Sequence, residues 1–89
     1  MDASDFQVGR RVKIRRDEDD GPSPWPAEPT GEVRVHPHAA DGEVSVPTQT
    51  AFGWRRSYWI AFDVPQFDAE GDGPYASSEV LDKYIDAED

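Results

Sequence analysis

The apolar residues of this chain come in short runs of period two, and each run stops at a proline or a polar loop. Tyr58, Ile60, Phe62 and Val64 alternate with Trp59, Ala61 and Asp63. Val12 and Ile14 alternate with Arg11, Lys13 and Arg15, and Val33 and Val35 with Glu32 and Arg34. Successive side chains of an extended strand point to opposite faces, so this spacing gives each segment one apolar and one polar face. The apolar positions are mostly β-branched or aromatic, which favours strand. Pro37, Pro47 and Pro65 are expected to end three of these strands, because proline lacks the N–H that a central strand donates.

Between the strands the sequence reads as loop. Asp17 to Pro29 combines an acidic run, Asp17–Asp20, with prolines at 22, 24, 26 and 29, and an extended polyproline path is expected there. Trp25 lies in the middle of it and is expected to fold back on the core or to line a groove. Thr30-Gly31 opens the second strand, and Val44 and Val46 mark a third. His36 to Gly42 reads as the hairpin connection between them, with Asp41-Gly42 as the turn. Thr48 to Arg56 fits no single pattern; if extended, it puts Phe52 and Trp54 on one face. After an acidic loop, Ser78-Glu79 can start a helical turn with Val80, Leu81, Tyr84 and Ile85 as its stripe. A short terminal strand is the alternative. Residues 1–5 and 86–89 are expected to fray.

At 89 residues the chain is expected to be one domain, 1–89, with a small core. Nine basic residues against 19 acidic give a net charge of −10. Ten aromatics and the alternating pattern argue for a folded domain despite that charge. There is no cysteine, which excludes disulfides, thiolate metal centres and a cysteine nucleophile. No apolar run is long enough to span a membrane. The acidic start MDASDFQVG has no apolar stretch of a signal peptide. A cytoplasmic location is therefore expected. Net acidity repels nucleic acid and anionic membranes and suits a basic protein partner. It also suits a high-salt cytoplasm, since the only lysines are Lys13 and Lys83, and simple solubility explains it equally.

Four or five short strands with long polar loops are too few for a two-layer sandwich. A mainly all-β fold, a small and partly open barrel, is expected. The segments V-G-R-R-V-K-I, T-G-E-V-R-V, Y-W-I-A-F-D and S-S-E-V-L, in that order, resemble the SH3-like small barrels. The style is that of KOW domains, the nitrile hydratase β subunit and the ferredoxin–thioredoxin reductase variable chain. The resemblance covers Gly9 to Leu81 and implies a fold, not an activity. The acidic loop DAEGDGPY is not part of that pattern.

Three constellations carry possible chemistry. Asp68, Glu70, Asp72, Gly73 and Glu79 fall at the spacing of a calcium loop, with Glu in place of Asp or Asn at the third position. Asp68, Glu70 and Asp72 would each give an oxygen, the Pro74 carbonyl a fourth, and Glu79 a bidentate pair. The plainer reading is a solvated acidic turn. Arg11, Lys13 and Arg15 form a basic strand face that suits nucleic acid, or else simply blunts a sheet edge. Trp25, Trp54, Trp59, Tyr58 and Tyr75 exceed what a small core hides, and some of them suit a groove for an extended peptide; the alternative is that Trp54 and Trp59 cap the open ends of the barrel and Trp25 packs under its loop. His36-Pro37-His38 lacks a third metal ligand and reads as a surface hairpin. No catalytic nucleophile motif or phosphate loop is present. The expectation is a non-enzymatic protein-interaction or accessory module using Trp25, Trp54 and Tyr75, without a cofactor. A calcium module and a nucleic-acid-binding barrel are the alternatives.

Overall fold

The computed structural model describes residues 6–15, 25–51 and 53–88. The acidic run Asp17–Asp20, Pro22, Pro24, Arg16, Phe52, residues 1–5 and Asp89 lie outside them. Six antiparallel strands form one sheet that is not closed into a barrel. They are β1 (Arg11–Ile14), β2 (Thr30–Arg34), β3 (Ser45–Thr50), β4 (Gly53–Gln66), β5 (Tyr75–Leu81) and β6 (Ile85–Ala87). One 3-10 turn, Asp82–Tyr84, joins β5 to β6, and the described residues contain no α-helix, so none crosses a membrane.

β4 organises the sheet. Its first half, Gly53 to Tyr58, pairs with β3, and Trp59 to Phe62 pair with β2. Backbone direction puts β2 and β3 end to end along the same edge of β4. The Trp59 N–H donates to the Val44 carbonyl on the β3 side, while Val33 bonds to Arg10 and so turns its neighbours Glu32 and Arg34 toward β4. The other edge of β4 carries β5, with Tyr58 opposite Val80 and Ile60 opposite Ser78. β1 then pairs with β2, and β6 with β1. The path β5-β4-β2-β1-β6 thus begins and ends on strands that are three residues apart in sequence. Its two ends must come close, and the sheet curls. Stacked sheets lie only about 10 Å apart. The molecular extents of 33 × 29 × 26 Å show that the sheet wraps around its apolar face.

That face is the alternating set read from the sequence. Val12, Ile14, Val33 and Ile60 are fully buried, with Tyr58, Phe62, Val80 and Ile85 nearly so. Phe6 meets Tyr58 edge-on at 5.3 Å between ring centres. Burying an aliphatic side chain of this size contributes about 1.5–3 kcal/mol, so these residues dominate the stability. No buried side-chain polar atom among the described residues lacks a partner.

The structure corrects several expectations. The described residues form six strands rather than four or five. Pro47 does not close β3 and Pro65 does not end β4; each lies within a strand. Pro47 is tolerated because β3 pairs only with β4, and Pro65 because it lies in the register shift between Ala61 and Gln66, beyond the β2 ladder. Val35 and Val64 fall past the curled part of their strands and are 49% and 65% exposed, not inward. His36 to Gly42 does not join two paired strands; it is a side excursion whose neck is closed by the His36 N–H on the Glu43 carbonyl at 2.9 Å. Asp41 and Gly42 do make the turn, both at positive φ, 56° and 74°. Ser78 to Leu81 is strand rather than helical turn. Asp86 and Ala87, expected to fray, belong to β6, and the Glu88 N–H donates to the Arg11 carbonyl at 3.0 Å.

Gly31 sets the closest approach in the sheet. A Cβ at this position would lie 2.5 Å from the Ala61 carbonyl oxygen and 2.9 Å from Ile60 Cγ2. Backbone cannot yield there without parting β2 from β4. Gly31→Ala is expected to destabilise the fold by about 2–4 kcal/mol, read as a lower urea midpoint. An unchanged midpoint would show that this crossing has room to spare.

Candidate functional site

Along β5 runs a groove of about 430 Å³. Trp25, Tyr75 and Tyr84 line it together with Asp68, Glu79 and Leu81. Trp25 is only 5% exposed and packs on Phe62 at 4.8 Å between ring centres. It meets Tyr75 edge-on at 6.0 Å. Trp25 therefore joins the core and walls the groove at once. Tyr75, at 40% exposed, offers the groove its most accessible ring. Lys83 Nζ stands 5.0 Å from the centre of the Tyr84 ring, so that ring already holds one cation.

Of the three aromatics expected to form a partner site, the fold brings Trp25 and Tyr75 together. Trp54 is not with them. It sits on the β3–β4 hairpin opposite Gln49, 69% exposed, and does not line the groove.

The residues of the calcium spacing are placed as follows. Asp68 Oδ1 accepts the backbone N–H groups of Glu70 and Asp72, both at 2.9 Å, so this carboxylate organises its own turn. The Asp68 N–H donates to the Asp72 carbonyl at 3.0 Å, and the Gly73-Pro74 peptide is cis. Glu79 lies on β5, where its Oε2 is 2.6 Å from His36 Nε2. Among the described residues no group of three or more His, Cys, Asp or Glu is gathered as a metal would require.

The basic face is largely neutralised within the molecule. Arg11 donates to Asp63 Oδ1 at 2.7 Å and also bonds Asp63 Oδ2, and it reaches Glu88 at 3.3 Å. Arg15 Nε donates to the Lys83 carbonyl at 2.8 Å and lies 3.8 Å from Asp86. Lys13 sits opposite Asp86 in the ladder, its side chain exposed. Arg34 reaches Glu32 at 3.1 Å, Arg55 reaches Asp82 at 3.2 Å and Arg56 comes within 3.9 Å of Glu43. The neutralising carboxylates belong to distant strands, above all to β4 and the chain end.

His36 is the residue that sequence reasoning missed. It is 1% exposed, not on a surface hairpin. Its Nδ1 accepts the His38 backbone N–H at 3.1 Å, so the neutral ring carries its proton on Nε2 and donates it to Glu79. The ring meets Trp59 edge-on at 5.5 Å. Trp59 and Glu79 are paired across β4 and β5, so His36 covers a row on the face opposite the core. Its partner is 43 residues away in sequence, and no local pattern announces such a contact.

No protein-family model matches this chain, and neither a curated protein nor a solved structure matches it.

Asp63 carries the clearest electrostatic signature. Hydrogen bonds from Arg11, then from Thr30 Oγ1 at 2.6 Å, hold its carboxyl well below the usual carboxylate range. The Arg11 guanidinium is raised in turn by the same hydrogen bond. A carboxylate with a depressed folded pKa contributes stability that is complete above its unfolded pKa of about 4. That stability is lost as pH falls below this value toward the folded pKa. Asp63→Asn is expected to lower Tm at pH 7, with a gap to wild type that narrows steadily below pH ~4. A gap that stays constant down to pH ~2 would show that charge plays no part.

Proposed function

We propose that this chain is a non-enzymatic protein-interaction module on an SH3-like small barrel, whose groove along β5 takes an extended segment of a basic protein. The observation that carries the reading is the joining of Trp25 and Tyr75 in one groove, Trp25 fixed by the core and Tyr75 accessible. Aromatic anchors held in place by neighbouring packing lose little freedom on binding, and such residues dominate the affinity of peptide sites. The net charge of −10, with Asp68 and Glu79 among the lining residues, favours a cationic partner and speeds its approach.

Support for the SH3-like reading comes from where the four resembling segments fall. They contribute β1, β2, the centre of β4 and β5, four of the five strands of the curled path. A cytoplasmic site of action is part of the same proposal, consistent with a chain that has no cysteine to oxidise.

Titration with lysine-rich peptides containing aliphatic residues, followed by tryptophan fluorescence and calorimetry, tests the reading. Tyr75→Ala is expected to weaken binding roughly tenfold, the effect of losing a central aromatic anchor. Trp54→Ala should leave affinity unchanged, and binding should weaken as salt rises. Equal losses in the two variants, or salt-independent binding, would place the site elsewhere.

A further inference from the structure

The sheet has three outer strands, and they are not equally protected. β3 carries Pro47, which lies opposite Arg56 at a position turned away from β4 and so removes one donor from the outer edge. β6 is three residues long. β5 is seven residues long, Tyr75–Leu81, and contains neither proline nor a basic residue. Prolines, short length and inward or edge charges are the usual means of preventing strand addition. In β5 the single charge, Glu79, is held by His36.

The direction of the β5 backbone follows from the ladder. Trp59 turns its N–H toward β3, so Tyr58 and Ile60 turn theirs toward β5. Their partners Val80 and Ser78 therefore make the β4–β5 bonds. By the same alternation, the backbone groups of Ser77, Glu79 and Leu81 face away from the sheet. Among the described residues they bond to no other strand; the Glu79 carbonyl accepts only the Ser78 hydroxyl, at 3.2 Å. Ser78, Glu79, Val80 and Leu81 all line the groove, so the groove lies along this open edge.

We propose that the partner segment joins the sheet as an additional strand on β5, bonding to Ser77, Glu79 and Leu81, and that it is an extended segment bearing Lys or Arg. This rests on the reading of the groove as a protein site. A charge of −10 on each molecule opposes pairing of two β5 edges. Acidic residues also precede the strand, Asp68, Glu70 and Asp72, while Asp82 after it is engaged by Arg55. The acidic residues before the strand favour a cation at the end of the incoming segment nearest Tyr75. Main-chain bonds supply the affinity in this mode, and the Trp25–Tyr75 rings take a side chain of the added strand.

Two synthetic probes decide the matter. One is the peptide acetyl-Lys-Val-Thr-Val-Arg-Val-Thr-Lys-amide. The other is the same peptide methylated on two adjacent central nitrogens, which interrupts both of its edges while keeping charge and side chains. Strand addition requires the amides of Ser77, Glu79 and Leu81 to exchange with solvent roughly tenfold more slowly in the complex, with Ser78 and Val80 little changed. The methylated peptide should bind roughly tenfold more weakly or worse. Ser77→Pro, which removes an outward N–H and leaves the β4 ladder intact, should weaken the first peptide similarly while preserving Tm. Equal affinity for both peptides without edge protection, but with the Tyr75→Ala loss retained, would overturn strand addition and leave the groove reading standing. Absence of binding by either peptide at millimolar concentration would overturn both. A dimer of the protein alone, with the β5 amides protected, would overturn the cationic occupant.

Discussion

The 14-residue strand β4 hydrogen-bonds to three other strands, and its contact with Gly31 is the tightest backbone approach among the glycines of the fold. A strand this long has two edges and two halves. β2 and β3 share one edge in sequence, while β5 takes the other. The missing Cβ at Gly31 lets β2 lie close enough to β4 for Val33 and Ile60 to bury completely. From that crossing the sheet curls, and β6 returns beside β1 after a single 3-10 turn. Core, groove and open edge all follow from how β4 is shared.

Charge is arranged around the same strand. The polar face of β1 meets Asp63 of β4, Glu88 and Asp86, so its arginines face carboxylates of other segments. Surface pairs of this kind add little stability one by one, since solvent screens them. Their larger effect is on the field. Positive charge is neutralised locally, and the 10 excess acids remain to set the sign seen by a partner. The basic strand that looked like a nucleic-acid face in isolation is absorbed into the fold. A sequence window cannot show this, because Asp63 lies 52 residues from Arg11.

What the sequence made legible was local. Period two named the buried residues of β1, β2 and the centre of β4 correctly, because one face of each is covered along its whole length. It failed at Val35, one residue beyond β2, and at Val64, where burial ends before β4 does. The rule that proline ends a strand failed at Pro47 and Pro65 because it holds only where the ladder needs the N–H; Pro47, opposite Arg56, turns its nitrogen to the outer edge, and Pro65 lies in a register shift. Of the groove, the Trp25 and Tyr75 rings were legible as surplus aromatics. Their pairing, and the exclusion of Trp54, depended on chain crossings that no spacing encodes. His36 was illegible for the same reason. A histidine directly before a proline and a turn has every local mark of the surface, and contacts with the distant Trp59 and Glu79 help to bury it.

On the proposed function, the position of Trp25 would tie binding to stability. A residue that packs on Phe62 and also walls the groove cannot be moved without disturbing the core, so the groove is held in shape before any partner arrives. Preorganised sites lose less entropy on association, which matters in an 89-residue domain with a small core. The open β5 edge extends this economy. Strand addition uses backbone groups that exist in any sheet, so affinity comes without more apolar surface than a −10 chain can carry in solution. Under the proposed strand addition Tyr75 would supply selection, as an accessible ring beside a fixed one, at the point where β5 begins. In such an arrangement the core sets the geometry, the edge sets the direction of the bound segment, and the acidic surroundings set its charge.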